Sequence, residues 1–70
     1  MSPDQVLDTL DQVNQALLIP ANGVSPADLL QSVAPYVNSV GRDAQAAYIA
    51  AKQYTWGQRL VNPRTGQYLQ

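Results

Sequence analysis

Apolar residues recur at helical spacing near the start of the chain. They follow one another at intervals of four, three and four residues, and a further leucine, Leu7, widens the stripe. The stripe positions are Val6, Leu10, Val13 and Leu17. Polar residues occupy the opposite side of the same helical wheel, at Asp4, Asp8, Asp11 and Gln15. The pattern therefore predicts one cleanly amphipathic helix.

The residues that flank this stripe predict where the helix begins and ends. Ser2 is a favoured N-cap, Pro3 suits the first helical position, and Gln5 stands where it completes a capping box. The residue before Pro20 disfavours helical backbone, which places the end of the helix ahead of that proline. The predicted helix runs from about Pro3 to Leu18.

A second start signal, Ser25 followed by Pro26, precedes a longer apolar seam with alternating three- and four-residue spacing. The seam positions are Leu30, Val33, Val37, Val40, Ala44, Ala47, Ala51 and Tyr54. Pro35 lies within the seam and removes one backbone donor, so it predicts a kink or a break. The broken form would consist of helices from about Pro26 to Ala34 and from Pro35 to Thr55.

The second half of this seam is rich in alanine, which allows close approach of two helices but buries little area per residue. Two interpretations follow. The seam is either a surface for self-association or the face that packs against the first helix of the same chain.

The last residues follow a different pattern. Asn62-Pro63-Arg64-Thr65-Gly66 is typical of a type I turn followed by a glycine bulge, which would pair residues 59–61 with 67–69. The predicted fold is therefore mostly α: a helical hairpin, with helices at about 3–18 and 26–55, and a C-terminal β-hairpin or extended arm. The corresponding division is a helical domain at 1–56 and a hairpin or arm at 57–70.

Composition limits the chemistry available to the chain. Its 70 residues contain no cysteine and no histidine, and all five acidic residues are aspartates without the spacing of a metal-binding loop. Nucleophile and base pairs that need cysteine or histidine are thereby excluded. We expect no catalytic residues, no metal and no cofactor, and thus a protein that is not an enzyme.

Charged residues make up only 13% of the chain, against about 25% in a typical soluble domain. This deficit indicates that much of the surface contacts other protein. We therefore expect a small structural or assembly subunit, a homo-oligomer or part of a larger complex, for example a minor component of a virus particle. Neither a membrane span nor an export leader is expected, which places the chain in the cytoplasm or inside such an assembly.

The C-terminal arm is the predicted partner-binding element, because the short helical stripes are needed to cover each other and leave little apolar surface for it. The expected contact residues are Trp56, Arg59, Leu60, Val61, Arg64, Tyr68 and Leu69. Four of the five aspartates precede residue 29, whereas the four cations follow residue 41. A tail from one subunit could thus meet the aspartates of the next, although aspartates near a helix N-terminus also simply complement its dipole.

Two alternatives remain. The chain could be a small regulatory inhibitor that caps a partner protein. It could also bind single-stranded nucleic acid weakly, because aromatic and cationic residues alternate near the C-terminus and could stack on bases and neutralise phosphates. The residues concerned are Lys52, Tyr54, Trp56, Arg59, Arg64 and Tyr68. Nucleic-acid-binding domains usually carry a concentrated basic face, whereas this chain has only four cations and a net charge of −1.

Overall fold

The computed structural model describes residues 1–19, 23–54 and 58–69. Within these segments the chain forms three α-helices: α1 (Pro3–Leu18), α2 (Pro26–Val33) and α3 (Arg42–Gln53). A single turn of 3₁₀ helix, Val37–Ser39, lies between α2 and α3. The prediction of a mostly helical fold is confirmed. None of the described helices is both long enough and apolar enough to cross a membrane.

The first helix begins as its sequence predicts. The Ser2 hydroxyl accepts a hydrogen bond from the Gln5 amide at 3.3 Å, and the Ser2 amide donates to Gln5 Oε1 at 2.9 Å. This capping box satisfies donors that would otherwise lack a partner at the helix terminus. At α2 the Ser25 hydroxyl likewise accepts from the Asp28 amide at 3.4 Å. Local capping chemistry therefore sets the start of both helices.

The predicted break near Pro35 is present, but the helix that follows begins later than expected. α2 ends at Val33, and α3 begins only at Arg42 instead of Pro35. The intervening residues include Asn38, Ser39 and Gly41, which are poor helix formers. Gly41 adopts a φ of +126°, a conformation that side-chain-bearing residues rarely adopt. The predicted end at Thr55 lies outside the described residues.

The helices close around a core on one face of α1. Val6 and Leu10 form a cluster with residues from the α2 end of the seam and from α3. The other buried members of this cluster are Val33, Val37 and Ala44. Despite the break, every predicted seam position is buried or half-buried. The alanine-rich helix thus packs against the first helix of its own chain, as the second interpretation of the seam predicted.

The C-terminal arm, defined here as residues 58–69, does not form the predicted β-hairpin. The turn is present, since the Gly66 amide donates to the Asn62 carbonyl at 2.8 Å, but pairing is limited to one isolated antiparallel bridge between Val61 and Tyr68. No strand occurs in the described part of the chain. The Val61 carbonyl faces away from Tyr68 and accepts a hydrogen bond from a side chain of α1, and a single bridge is too short to make a sheet.

The arm packs into the core formed by its own helices. Leu60 is completely buried in a cluster with Val13 and Ala51, and Val61 packs with Ala47 and Ala50. The expectation that the arm would find little apolar surface in its own chain is therefore wrong for these two residues. The physical reason is that the alanines of α3 leave room between α1 and α3, and larger arm side chains fill it.

Candidate protein-binding surface

The structure separates the predicted contact residues into groups. Leu60 is completely buried against the chain's own helices, and Val61 is buried apart from the small part that lines a groove described below. Arg64 is exposed and is paired with aspartates of α1. The other exposed members in the arm are Arg59, Tyr68 and Leu69. Trp56 lies outside the described residues.

Arg64 connects the arm to the polar side of α1. Its Nη2 atom lies 2.6 Å from Asp8 Oδ1 and 3.2 Å from Asp11 Oδ2, while Nε donates to Asp11 Oδ2 at 3.3 Å. The arm thus meets these aspartates within the same chain. One guanidinium holds the two exposed carboxylates together.

Replacing Arg64 with glutamine should lower the free energy of unfolding by only about 0.2 to 1 kcal/mol, because all three side chains are well exposed to solvent. The difference from the wild type should shrink as salt is added, since salt screens exposed charges. Urea unfolding at low and high salt measures both effects. Arg42→Gln is the control, and a salt-independent loss in the Arg64 variant would contradict an electrostatic role.

Asn14 is a functional position that the periodicity analysis missed. It lies four residues after Leu10 and three before Leu17, on the apolar face, and it is only 3% exposed. Its Nδ2 donates to the Val61 carbonyl at 2.9 Å. No donor among the described residues reaches its Oδ1. A polar residue at an apolar position was the available signal, and its role is to hold the arm backbone against α1.

The bridge between Val61 and Tyr68 fixes residues 67–69 relative to the part of the arm that is bound to α1. The Asn62 amide donates to the Gln67 carbonyl at 2.8 Å, and the Leu69 amide donates to the Leu60 carbonyl at 3.0 Å. Val61 is thereby fixed to α1 on one side and paired with Tyr68 on the other. The Tyr68 side chain is consequently positioned beside α3.

A groove of about 690 Å³ runs between α3 and the arm. We call it the α3–arm groove, and its lining residues are Ala46, Ile49, Ala50, Gln53, Gln58, Arg59, Val61 and Tyr68. Ala50 and Val61 are buried and form its floor. Ile49 and Tyr68 are 53% and 62% exposed and form its rims. Two large apolar side chains on either side of a buried apolar floor make this the candidate binding surface.

Of the described residues that line the groove, Arg59 is the one with a charged side chain. Its guanidinium carbon lies 5.2 Å from the centre of the Tyr68 ring, within the range of a cation–π interaction. No carboxylate of the described residues forms an ion pair with Arg59. Lys52 makes a similar contact with Tyr48, at 5.4 Å, on another side of α3. The α3–arm groove is therefore apolar with a positive end.

The described residues contain no group of acidic side chains arranged to hold a metal ion. Comparison with known proteins also finds no match to this chain, whether among protein-family models, curated protein sequences or solved structures. The interpretation of the α3–arm groove therefore rests on its own geometry and chemistry.

Proposed function

We propose that this chain is a small, non-enzymatic subunit that binds other protein through the α3–arm groove and is built into a larger assembly. The observation that carries the proposal is the pair of exposed rims, Ile49 and Tyr68, with Arg59 stacked on the tyrosine. Tyrosine and arginine are enriched among the residues that dominate binding energy at protein interfaces. Side chains of this kind in an exposed apolar groove favour a protein partner.

The shape of the groove supports a protein partner over a small molecule. A small ligand lying on Ala50 and Val61 would leave most of the exposed rims in contact with water. Ligand sites in proteins instead enclose most of the ligand surface. A protein segment large enough to contact Ile49 and Tyr68 together would remove both rims from water and gain the free energy of burying them.

The sparse charge of the chain supports a role inside an assembly. Charged residues are only 13% of the sequence, and Arg64 already pairs with two of the five aspartates within the chain. The remaining surface is thus weakly hydrated for a domain of this size and suited to contact other protein. We propose a location in the cytoplasm or within an assembly such as a virus particle.

Weak binding of single-stranded nucleic acid is a second candidate function, favoured by the exposed stacking pair of Arg59 and Tyr68. The ion pairs of Arg64 with Asp8 and Asp11 argue against nucleic-acid binding, because they leave the Arg64 guanidinium less available to a phosphate. A small inhibitor that caps one partner would use the same groove without forming a larger assembly.

Replacing Ile49 and Tyr68 together with serine should remove the chain from its assembly without unfolding it, since both side chains are largely exposed. Sedimentation of extracts from its own host should place the wild type in fractions far heavier than its 7.6 kDa monomer and the variant near the monomer position. Circular dichroism of the purified variant checks that the helices remain.

Tyr36→Ser provides the matched control, because Tyr36 is an exposed tyrosine that does not line the α3–arm groove. This control should sediment with the wild type. The proposal fails if the double variant still sediments in heavy fractions, or if the wild type itself sediments as a free monomer in the extract.

A further inference from the structure

We infer that the partner segment recognised by the α3–arm groove is acidic as well as apolar: it presents a large apolar side chain to the groove floor and an aspartate or glutamate to Arg59. This inference rests on the proposed function, since it assigns the chemistry of the partner to the same groove. It follows from the charge and shape of the groove.

Charge complementarity supplies the first part of the argument. Two of the arginines are placed very differently: Arg64 contacts two carboxylates, whereas Arg59 contacts an aromatic ring and no described carboxylate. A guanidinium presents a rigid fork of donors that matches the two oxygens of a carboxylate. Stacking on Tyr68 restricts the orientations available to Arg59 before a partner arrives. Among the described residues, the groove therefore holds an oriented cation to which no carboxylate is bound.

None of the described residues that line the groove is acidic, which strengthens the preference for an acidic partner. The other lining residues are apolar or carry neutral amides, namely Gln53 and Gln58. A basic segment would place like charges together in the groove, and juxtaposed like charges disfavour binding at protein interfaces. A neutral segment would cover Arg59 without supplying an acceptor of matching charge. An acidic segment satisfies the guanidinium and leaves no unpaired charge at the interface.

The position of Arg59 relative to the rims defines the rest of the partner segment. Ile49 lies on α3 and Tyr68 on the arm, with Ala50 and Val61 between them. One bulky apolar side chain between these rims would contact both and the floor. Because Arg59 stacks on Tyr68, the carboxylate must stand close to that apolar side chain, at the arm side of the groove.

A displayed library of random peptides, selected against the immobilised full chain, tests this inference. The selected peptides should be enriched in aspartate or glutamate near a large apolar residue, relative to the starting library. Calorimetry of the best peptide should show binding about tenfold or more weaker to Arg59→Gln than to the wild type, as expected when one member of a covered charge pair is removed. Arg42→Gln, an exposed cation outside the groove, should bind like the wild type.

The outcomes separate this inference from the proposed function. One outcome would contradict the acidic partner but support the groove as the binding site. In that outcome the selected peptides are not acidic, bind Arg59→Gln normally and do not bind the Ile49→Ser, Tyr68→Ser variant. Selected peptides that ignore the double variant would contradict the groove itself. Selection that yields no peptide would contradict both the acidic partner and the proposed function. Binding of labelled oligo(dT) that depends on Arg59 would also contradict both, and it would favour nucleic acid as the ligand.

Discussion

Replacing Leu60 with alanine should lower the free energy of unfolding by about 2 to 5 kcal/mol, the range measured when buried leucines are truncated in other proteins. Leu60 is completely buried, and it packs against Val13 of α1 and Ala51 of α3. The alanine in α3 cannot extend to fill the space that would be left. The substitution therefore creates a cavity at the junction of three separate segments of the chain.

The effect should be large relative to the total stability, because a single core in a chain of this size rarely supplies more than about 3 to 5 kcal/mol. We expect Leu60→Ala to be substantially unfolded at room temperature, with the loss of helical signal measured by circular dichroism during urea titration. Leu69→Ala is the matched control, since Leu69 is in the same arm but 42% exposed. Equal stability of the two variants would contradict the placement of the arm in the core.

Replacing Gly66 with alanine should lower the free energy of unfolding by about 1 to 3 kcal/mol, mostly through backbone strain, with a smaller steric contribution because the exposed Asp43 side chain can rotate away. Gly66 has a φ of +74°, where a side chain strains the backbone. A Cβ at this position would also lie 3.0 Å from Cγ of Asp43, at the first turn of α3. The turn and α3 are therefore too close to admit even a methyl group without movement of Asp43.

Gly23→Ala separates the two contributions. Gly23 has almost the same φ, +75°, but nothing lies within 4 Å of a Cβ built there. Its substitution should cost only the backbone strain, about 1 to 2 kcal/mol. In an Asp43→Ala background the cost of Gly66→Ala should fall towards the Gly23 value, as measured by a double-mutant cycle of urea unfolding. An unchanged cost in that background would show that Asp43 is not the obstacle.

The helix starts could be predicted because they depend on residues close together in sequence. Ser2 and Gln5 satisfy each other within one turn, and the spacing of Val6 and Leu10 fixes which face of α1 is buried. Pro35 likewise acts on the adjacent turn and ends α2. The later start of α3 was missed because the apolar spacing continues through residues that are not α-helical, such as the buried Val37 in the 3₁₀ turn.

The glycine of the C-terminal turn was also readable from sequence, whereas the pairing beyond it was not. Gly66 has the positive φ that the turn requires, and its amide bonds to the Asn62 carbonyl. The two runs make a single bridge, and contacts remote in sequence decide where the arm lies. The side chain of Asn14, 47 residues from Val61, donates to the Val61 carbonyl on the side that faces away from Tyr68. No local pattern at Val61 indicates that contact.

Sequence alone determined the elements of this protein: two capped helices, a break after the second, a helical alanine-rich segment and a glycine turn. Only the tertiary structure decided where the arm goes and which side chains remain for a partner. Local spacing identifies candidate core positions, but it does not tell whether Leu60 or Tyr68 is buried. Leu60 is buried and Tyr68 exposed because contacts across the fold, from Asn14 and the alanines of α3, fix one face of the arm inward.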